Sequence, residues 1–416
     1  MNSERPRTVI TGMGMVTPLG LTVQESWEAM LAGRSGIGPI TLFDASALPT
    51  RIAGEVKGFD PGRYMSPKEA RRIARCSQLT IAATQEALAD AGLTTPVPDA
   101  ERVGTVMGVG MGGLDYALAS GRKFWESGLR SVSPFSLPAS LPNMPSYHVS
   151  YLAGATGPIT TVVAACASGA QAIGDAMELI RHGRADMVIA GGVEALVVDV
   201  PVAGFIAMRA LSERNDEPER ASRPFDAGRD GFVYSEGAGV VVVERLERAR
   251  ARGARIHAEV IGYATSSDAF HITQPDPEGK GAQRTMRWAL ADAGLEPSGI
   301  DYINAHGTST TLNDVIETAA IKQVFGEHAY RVPISSTKSM IGHTIGGAGA
   351  VESIATVRIM QEGMIHPTIN LEQPDPQCDL DYVPGQARKA DVRVALKNAF
   401  GFGGQNACLV LRRWDG

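Results

Sequence analysis

Four cysteines are all that this chain of 416 residues contains, and no two of them have metal-ligand or C-x-x-C spacing. Cys76, Cys166, Cys378 and Cys408 therefore suggest neither a disulfide scaffold nor a zinc ribbon, and a reduced cytoplasmic setting is the simplest expectation. Positive charge is not in excess either. The 39 Lys and Arg face 45 Asp and Glu, a net charge of −6, which argues against nucleic acid as the main partner. The N-terminal Met1-Asn-Ser-Glu-Arg-Pro-Arg7 has no apolar core behind its charges, so no signal peptide is expected. The longest apolar stretch, Met187 to Met208, is interrupted by Glu194 and Asp199 and reads as buried strand and loop rather than a membrane span. No low-complexity run accompanies the 47 glycines, so they read as tight turns and close packing. A 44% hydrophobic content over this length is ample for a large core and two or three domain-sized units.

Within this background one run stands out, Thr160-Thr-Val-Val-Ala-Ala-Cys-Ala-Ser-Gly169. A β-branched strand pattern stops at Cys166. Apolar Ala170, Ile173, Ala176, Met177 and Ile180 then follow at helical spacing. The expectation is strand, tight turn, helix, with the thiol at the helix's first turn. Free N–H groups and the helix dipole there favour a thiolate. Taken alone, such a cysteine is more readily a small core residue. Two further segments change its weight: Asn304-Ala-His-Gly-Thr-Ser-Thr310 and Ser335-Ser-Thr-Lys-Ser-Met-Ile-Gly-His343. Each puts a histidine beside glycine after an apolar strand. A cysteine with His306 and His343 would also suit zinc, but no fourth ligand is evident.

The chain also repeats itself. Ala87-Leu-Ala-Asp-Ala-Gly-Leu93 recurs as Ala289-Leu-Ala-Asp-Ala-Gly-Leu295, each at the end of an amphipathic helix with glycine beyond it. Thr8-Val-Ile-Thr-Gly12 matches Glu259-Val-Ile-Gly-Tyr263. Gly237-Ala-Gly-Val-Val-Val-Val-Glu244 matches Gly404-Gln-Asn-Ala-Cys-Leu-Val-Leu411. Two α/β halves follow, residues 1–255 with the cysteine and 256–416 with both histidines. A reaction centre between them is the natural arrangement. Gly108-x-Gly110-x-x-Gly113 matches a dinucleotide fingerprint, but no clear helix with an acidic partner is expected at the right distance, so the match carries little.

Together with Arg223-Pro-Phe-Asp226, Arg229-Asp-Gly-Phe232 and Gly401-Phe-Gly-Gly-Gln-Asn406, these motifs resemble the β-ketoacyl-acyl carrier protein synthases, closest to the elongating synthase II type. The resemblance runs from Val9 to about Leu411. It implies an α/β thiolase-like fold, two pseudo-duplicated halves whose central sheets lie within layers of helices. It also implies a homodimer that needs no cofactor and elongates fatty acyl chains on acyl carrier protein by decarboxylative condensation. By the same resemblance, Cys166 carries the acyl group, and the backbone N–H groups of Cys166 and Phe402 bind the oxyanion. His306 and His343 donate to the malonyl thioester oxygen, and Lys338 and Glu352 pair behind them. Thr308, Thr310 and Thr273 hold the phosphopantetheine arm. Met111 floors the acyl-tail pocket, and Phe135 reaches the partner subunit's pocket. Lys68, Arg71, Arg72 and Arg209 dock the acidic carrier, with Arg75 extending a basic helical face. Asn304, Asn398 and Glu352 resemble a monovalent-cation site. Ala164 and Gln405 depart from the commoner threonines, which bears on chain preference and not on the reaction.

Three other readings stand beside this one. A polyketide or other specialised ketosynthase would share these motifs. A chain-length-factor subunit would lack the cysteine. A degradative thiolase would use a second cysteine in place of one histidine.

Overall fold

The computed structural model describes residues 5–416. Ten strands form its main sheet: β1 (Thr8–Val16), β2 (Val103–Val109), β3 (Ile159–Val162), β4 (Met187–Glu194), β5 (Gly237–Arg245), β6 (Ala258–Ser267), β7 (Tyr302–Asn304), β8 (Ile334–Ser335), β9 (Val394–Gly401) and β10 (Gln405–Arg413). Their spatial order is β8-β7-β9-β10-β6-β1-β5-β4-β2-β3. Outward from the centre, the first half runs 1-5-4-2-3 and the second 6-10-9-7-8, so the second repeats the first with five added to each strand. The duplication read in the sequence is thus present in the topology. The two sheets implied by the resemblance are fused into one, because β1 pairs antiparallel with β6, Thr8 opposite Val260.

The helices that frame the site and the two halves are α1 (Arg75–Asp90), α2 (Leu114–Ser127), α3 (Ser168–Arg181), α4 (Asp199–Ala207), α5 (Lys280–Ala293), α6 (Thr311–Phe325) and α7 (Ala348–Glu362). The repeated Ala-Leu-Ala-Asp-Ala-Gly-Leu ends α1 and α5, where Gly92 and Gly294 take positive φ of 64° and 66°. Leu79, Ala83 and Ala87 of α1 join Val16, Val240 and Val242 in one core cluster. Met286, Ala289 and Leu290 of α5 do the same with Ile303, Leu396 and Val410. Each fully buried leucine or methionine contributes about 1.5–3 kcal/mol.

Helices α3 and α7 pack on each other through the middle of the molecule. A Cβ on Gly169 would lie 2.8 Å from the Ala350 nitrogen, and one on Gly349 would lie 2.2 Å from the Ala170 nitrogen. The contact is reciprocal and excludes any side chain at either glycine. It brings the start of α3, and hence Cys166, onto the half that carries the histidines.

Three sequence expectations are corrected here. The stretch after β4 is helix α4, not loop. Its apolar residues Val202, Phe205 and Ile206 share a cluster with Cys166. A helix, α2, does follow the Gly108–Gly113 turn. The glycines there serve packing: a Cβ on Gly110 would lie 2.1 Å from Glu194 Oε2, and one on Gly113 would lie as close to the Ala139 carbonyl. Lys68 stands on a helix of one turn, Pro67–Ala70, and Arg71 and Arg72 follow it, so they form no extended helical face.

Candidate active site

Cys166 lies in a 3₁₀ turn, Ala165–Ala167, that opens directly into α3. Ala165 takes a φ of 46°, a left-handed conformation costly for a residue with a Cβ. Ser168 holds the turn. Its Oγ accepts from the Ala164 N–H at 2.8 Å and donates to the Val109 carbonyl at 3.0 Å. The thiol is buried, and burial pushes it up to about 11. The Lys338 charge and the Phe402 N–H pull the other way. The thiolate expected from the helix terminus is therefore corrected. Desolvation outweighs the terminal N–H groups, and the free protein carries a thiol at neutral pH.

Phe402 lies in the turn between β9 and β10, and its N–H favours the ionised form of Cys166. A Cβ on the preceding Gly401 would lie 2.7 Å from the Ala164 carbonyl and 3.2 Å from the Cys166 nitrogen. Glycine is what lets this turn approach the nucleophile.

His306 follows β7. Its loop is held from below by Glu317 on α6, whose carboxylate accepts the N–H groups of His306 at 2.7 Å and Gly307 at 2.8 Å. Asp314, one turn earlier, accepts the Thr308 N–H at 3.1 Å and the Phe225 N–H at 2.9 Å. Neither acid was singled out from the sequence. The signal available was a pair of carboxylates at i and i+3 on an apolar helix.

His343 follows a short helix, Lys338–Ile341, rather than a strand. Its Nδ1 accepts the Ile345 N–H at 3.3 Å, which leaves the proton on Nε2. That Nε2 is buried and has no partner. A buried donor without an acceptor costs free energy unless a substrate supplies one. The two imidazoles meet edge to face with centroids 5.5 Å apart. Cys166 Sγ and a nitrogen of each histidine all lie within 4.8 Å of one another.

Behind them, the Lys338 ammonium donates to the His306 carbonyl at 2.7 Å and to Glu352 Oε1 at 2.5 Å. It also lies 3.5 Å from His306 Nδ1, keeping that atom an acceptor and Nε2 protonated. Burial, then the Lys338 charge, pushes both histidines well below their ordinary value, so both are neutral at pH 7.

A cavity of about 260 Å³ opens onto these groups. Thr308, Thr310, Thr273 and Arg209 line it with Cys166, His306, His343 and Phe402. The Thr308 and Thr310 hydroxyls bond each other at 2.9 Å. Thr273 lies 3.4 Å from His271 Nδ1. Met111 does not line this cavity. It packs beyond Cys166 with Ile345, Leu196 and Phe205, and its N–H donates to Glu194. Phe135 lies elsewhere, under the Arg72 guanidinium at 4.4 Å, in a second cleft with Tyr147 and Tyr151. Arg75 leaves the basic set altogether: it forms a bidentate pair with buried Glu236 at 2.7 Å. Cys76, Cys378 and Cys408 are buried outside the cavity.

Of the three cation ligands implied by the resemblance, Asn304 has a buried Oδ1 without a partner, but the other two are not free for a cation. Glu352 already faces two ammoniums, Lys338 at 2.5 Å and Lys397 at 2.7 Å. The Asn398 side chain points away, its Nδ2 donating to Glu317 at 3.2 Å. A further positive charge would meet two buried lysines with a single carboxylate between them.

A duplicated α/β fold that brings one cysteine and two histidines together from opposite halves defines a thiolase-like condensing enzyme of the two-histidine kind. Two family models match the chain, "Beta-ketoacyl synthase, N-terminal domain" over residues 6–249 and "Beta-ketoacyl synthase, C-terminal domain" over residues 257–372. A 3-oxoacyl-[acyl-carrier-protein] synthase 2 of Synechocystis is 50% identical over the whole of both chains. One of Coxiella burnetii is 48% identical over 99% of each. Among solved structures, a β-ketoacyl synthase of Burkholderia phymatum is 40% identical, covering 98% of this chain and 100% of its own, with a TM-score of 0.91. A type II polyketide ketosynthase in complex with its acyl-carrier protein is 34% identical, over 99% of this chain and 100% of its own, with a TM-score of 0.92. The chain belongs to the beta-ketoacyl synthase family.

Proposed function

We propose that this protein is a β-ketoacyl-acyl carrier protein synthase of fatty-acid elongation, an acyltransferase that forms a carbon–carbon bond. The observation that carries the reading is the convergence of Cys166, His306 and His343 within 4.8 Å on one cavity. In the first step Cys166 sulfur attacks an acyl thioester. The N–H groups of Cys166 and Phe402 stabilise the oxyanion, and the departing pantetheine sulfur takes up the proton. In the second, a malonyl thioester oxygen accepts from Nε2–H of both histidines. The bond to the carboxylate breaks, carbon dioxide leaves, and its electron pair passes into an enolate held by those donors. The enolate carbon bonds to the acyl carbon on Cys166. The carbon–sulfur bond breaks and the sulfur regains a proton from solvent. Thr308, Thr310 and Thr273 are positioned for the polar amides of a pantetheine arm.

The decisive experiment supplies malonyl-carrier protein and a panel of acyl-carrier proteins and identifies products by mass. Products two carbons longer, one condensation per encounter, support fatty-acid elongation. Repeated condensation without reduction would instead make it a polyketide enzyme. The 46–50% identity to curated synthase 2 relatives favours the former.

Carrier docking is assigned to exposed Lys68, Arg71, Arg72 and Arg209, the last at the cavity mouth. Reversing Arg71 and Arg72 to glutamate should raise the Michaelis constant for carrier-bound substrate and spare a small pantetheine thioester. The wild-type rate on the carrier should fall with salt more steeply than the variant's. Equal loss on both substrates would remove the docking role.

Met111 is assigned to the acyl-tail slot because it packs against the same apolar cluster as Cys166. Overpacking there costs about 1–3 kcal/mol, so Met111→Phe should discriminate against long primers by roughly five- to a hundredfold. An unchanged ratio of short- to long-primer rates would leave Met111 as ordinary core.

A homodimer is the reading for the face around β3. This edge strand is unpaired on one side. It exposes Ile159 at 53%, with Val163 just beyond it at 54%. Tyr147 and Tyr151 stack beside Phe135 in the cleft already described. Sedimentation at low concentration should give twice the mass of 43.9 kDa, and a monomer there would refute this. The four unpaired cysteines suit a reducing, cytoplasmic location. No helix among the described residues is long and apolar enough to cross a membrane.

A further inference from the structure

Lys397 is a lysine with no exposure in the middle of β9. Such burial is rare and costly unless the charge is paired. Strand register explains where it points. In the parallel pair β7/β9, Lys397 stands opposite Asn304, so the two side chains share one face of the sheet. The next residue, Asn398, points to the other face, toward Glu317 and Cys408. The Lys397 ammonium lies 2.7 Å from Glu352 Oε2 and donates to the Asn398 carbonyl. The other carboxylate oxygen, Oε1, accepts from Lys338.

Two of the groups a cation would need on this face, the Glu352 carboxylate and the Asn398 carbonyl, therefore already face an ammonium. Glu352 is the anion, the Asn398 carbonyl is the neutral ligand, and Asn304, whose Oδ1 is buried without a partner, is the neighbour. We propose that Lys397 is a built-in replacement for a monovalent cation, a positioning residue whose ammonium balances Glu352 and fixes Lys338 behind His306. The protein then folds and works without any bound alkali ion. The same charge contributes to keeping both histidines neutral, since Lys397 lies among the groups that push them down. This inference concerns cation dependence and goes beyond the reaction proposed above. Its binding and melting readouts need no turnover.

Crystals of the wild-type protein soaked in rubidium chloride test it directly, together with melting curves in potassium, sodium and choline chloride at equal ionic strength. The expected result is no anomalous peak beside Glu352 and one melting temperature in all three salts. Lys397→Ser, which opens space and supplies an oxygen, should lose roughly tenfold or more of its condensation rate in choline. It should regain that rate in potassium and show the rubidium peak. Lys397→Met fills the space without charge and should lose the rate in every salt. A rubidium peak at Glu352 in the wild type, or a wild-type melting temperature that rises with potassium over choline, would overturn the proposal. So would a Lys397→Ser variant that is fully active in choline, or one that is folded but rescued by no cation. Should neither variant fold, the wild-type soak and melting curves still decide.

Discussion

Cys166→Ala should fold normally and take up no acyl group, with condensation falling on the order of 10⁴- to 10⁶-fold. Folding is expected to survive because the side chain sits in an apolar cluster, and alanine keeps the backbone of the 3₁₀ turn. The reaction is expected to fail because the other three cysteines do not line the cavity. Mass analysis of the wild type after incubation with acyl-carrier protein should find the adduct on Cys166 alone. Modification mainly at Cys76, Cys378 or Cys408 would sink the assignment. The thiol's position also sets a pH test. With burial holding it near 11, the thiolate fraction rises about tenfold per pH unit throughout the range below that value. Alkylation by a small neutral reagent should climb accordingly from pH 7 to 9. A plateau by pH 8 would show that the helix terminus wins over burial.

The second large effect belongs to the histidines. His306→Ala and His343→Ala should each still load an acyl group on Cys166, yet release carbon dioxide from malonyl thioester about 10²- to 10⁴-fold more slowly. The separation arises because the orphaned Nε2 of His343 needs an acceptor, and the malonyl oxygen is one. Acyl loading uses the backbone donors of Cys166 and Phe402 instead. The electrostatics add a profile. Both imidazoles are pushed well below 6.5 by burial and Lys338. They therefore keep one protonation state across pH 6 to 8, and wild-type decarboxylation should be flat there. Normal decarboxylation by either variant would refute the role, and a midpoint near 6.5 would refute the neutral state.

Much of this was legible in the chain because chemistry and topology leave local signatures. The repeated Ala-Leu-Ala-Asp-Ala-Gly-Leu marked two helix ends, and both halves of the sheet follow from it. Cys166, His306, His343, Lys338 and Glu352 come together as their motifs implied. What escaped depends on non-local packing. Glu317 and Asp314 look like solvated helix charges until the loop of His306 folds over them. Lys397 is one lysine in an apolar strand until the register sets it opposite Asn304. Arg75 looks like part of a basic helix until Glu236, far away in sequence, claims it. The cysteine's thiolate was inferred from one local effect, and a larger one, desolvation, comes from the whole site.

The two halves share a strand order but not the contents of one turn. Cys166 and Gly346 hold the same place in their halves, each the middle of a 3₁₀ turn opening on a left-handed residue, Ala165 at 46° or Ile345 at 39°. A Cβ at 346 would lie 2.4 Å from the Gly110 nitrogen. In this arrangement only one half has room for a side chain at the turn. No single substitution hands the nucleophile back, because the backbone of the sister copy already occupies that space. The fold as it stands has room for one such nucleophile per chain, at the turn of the first half.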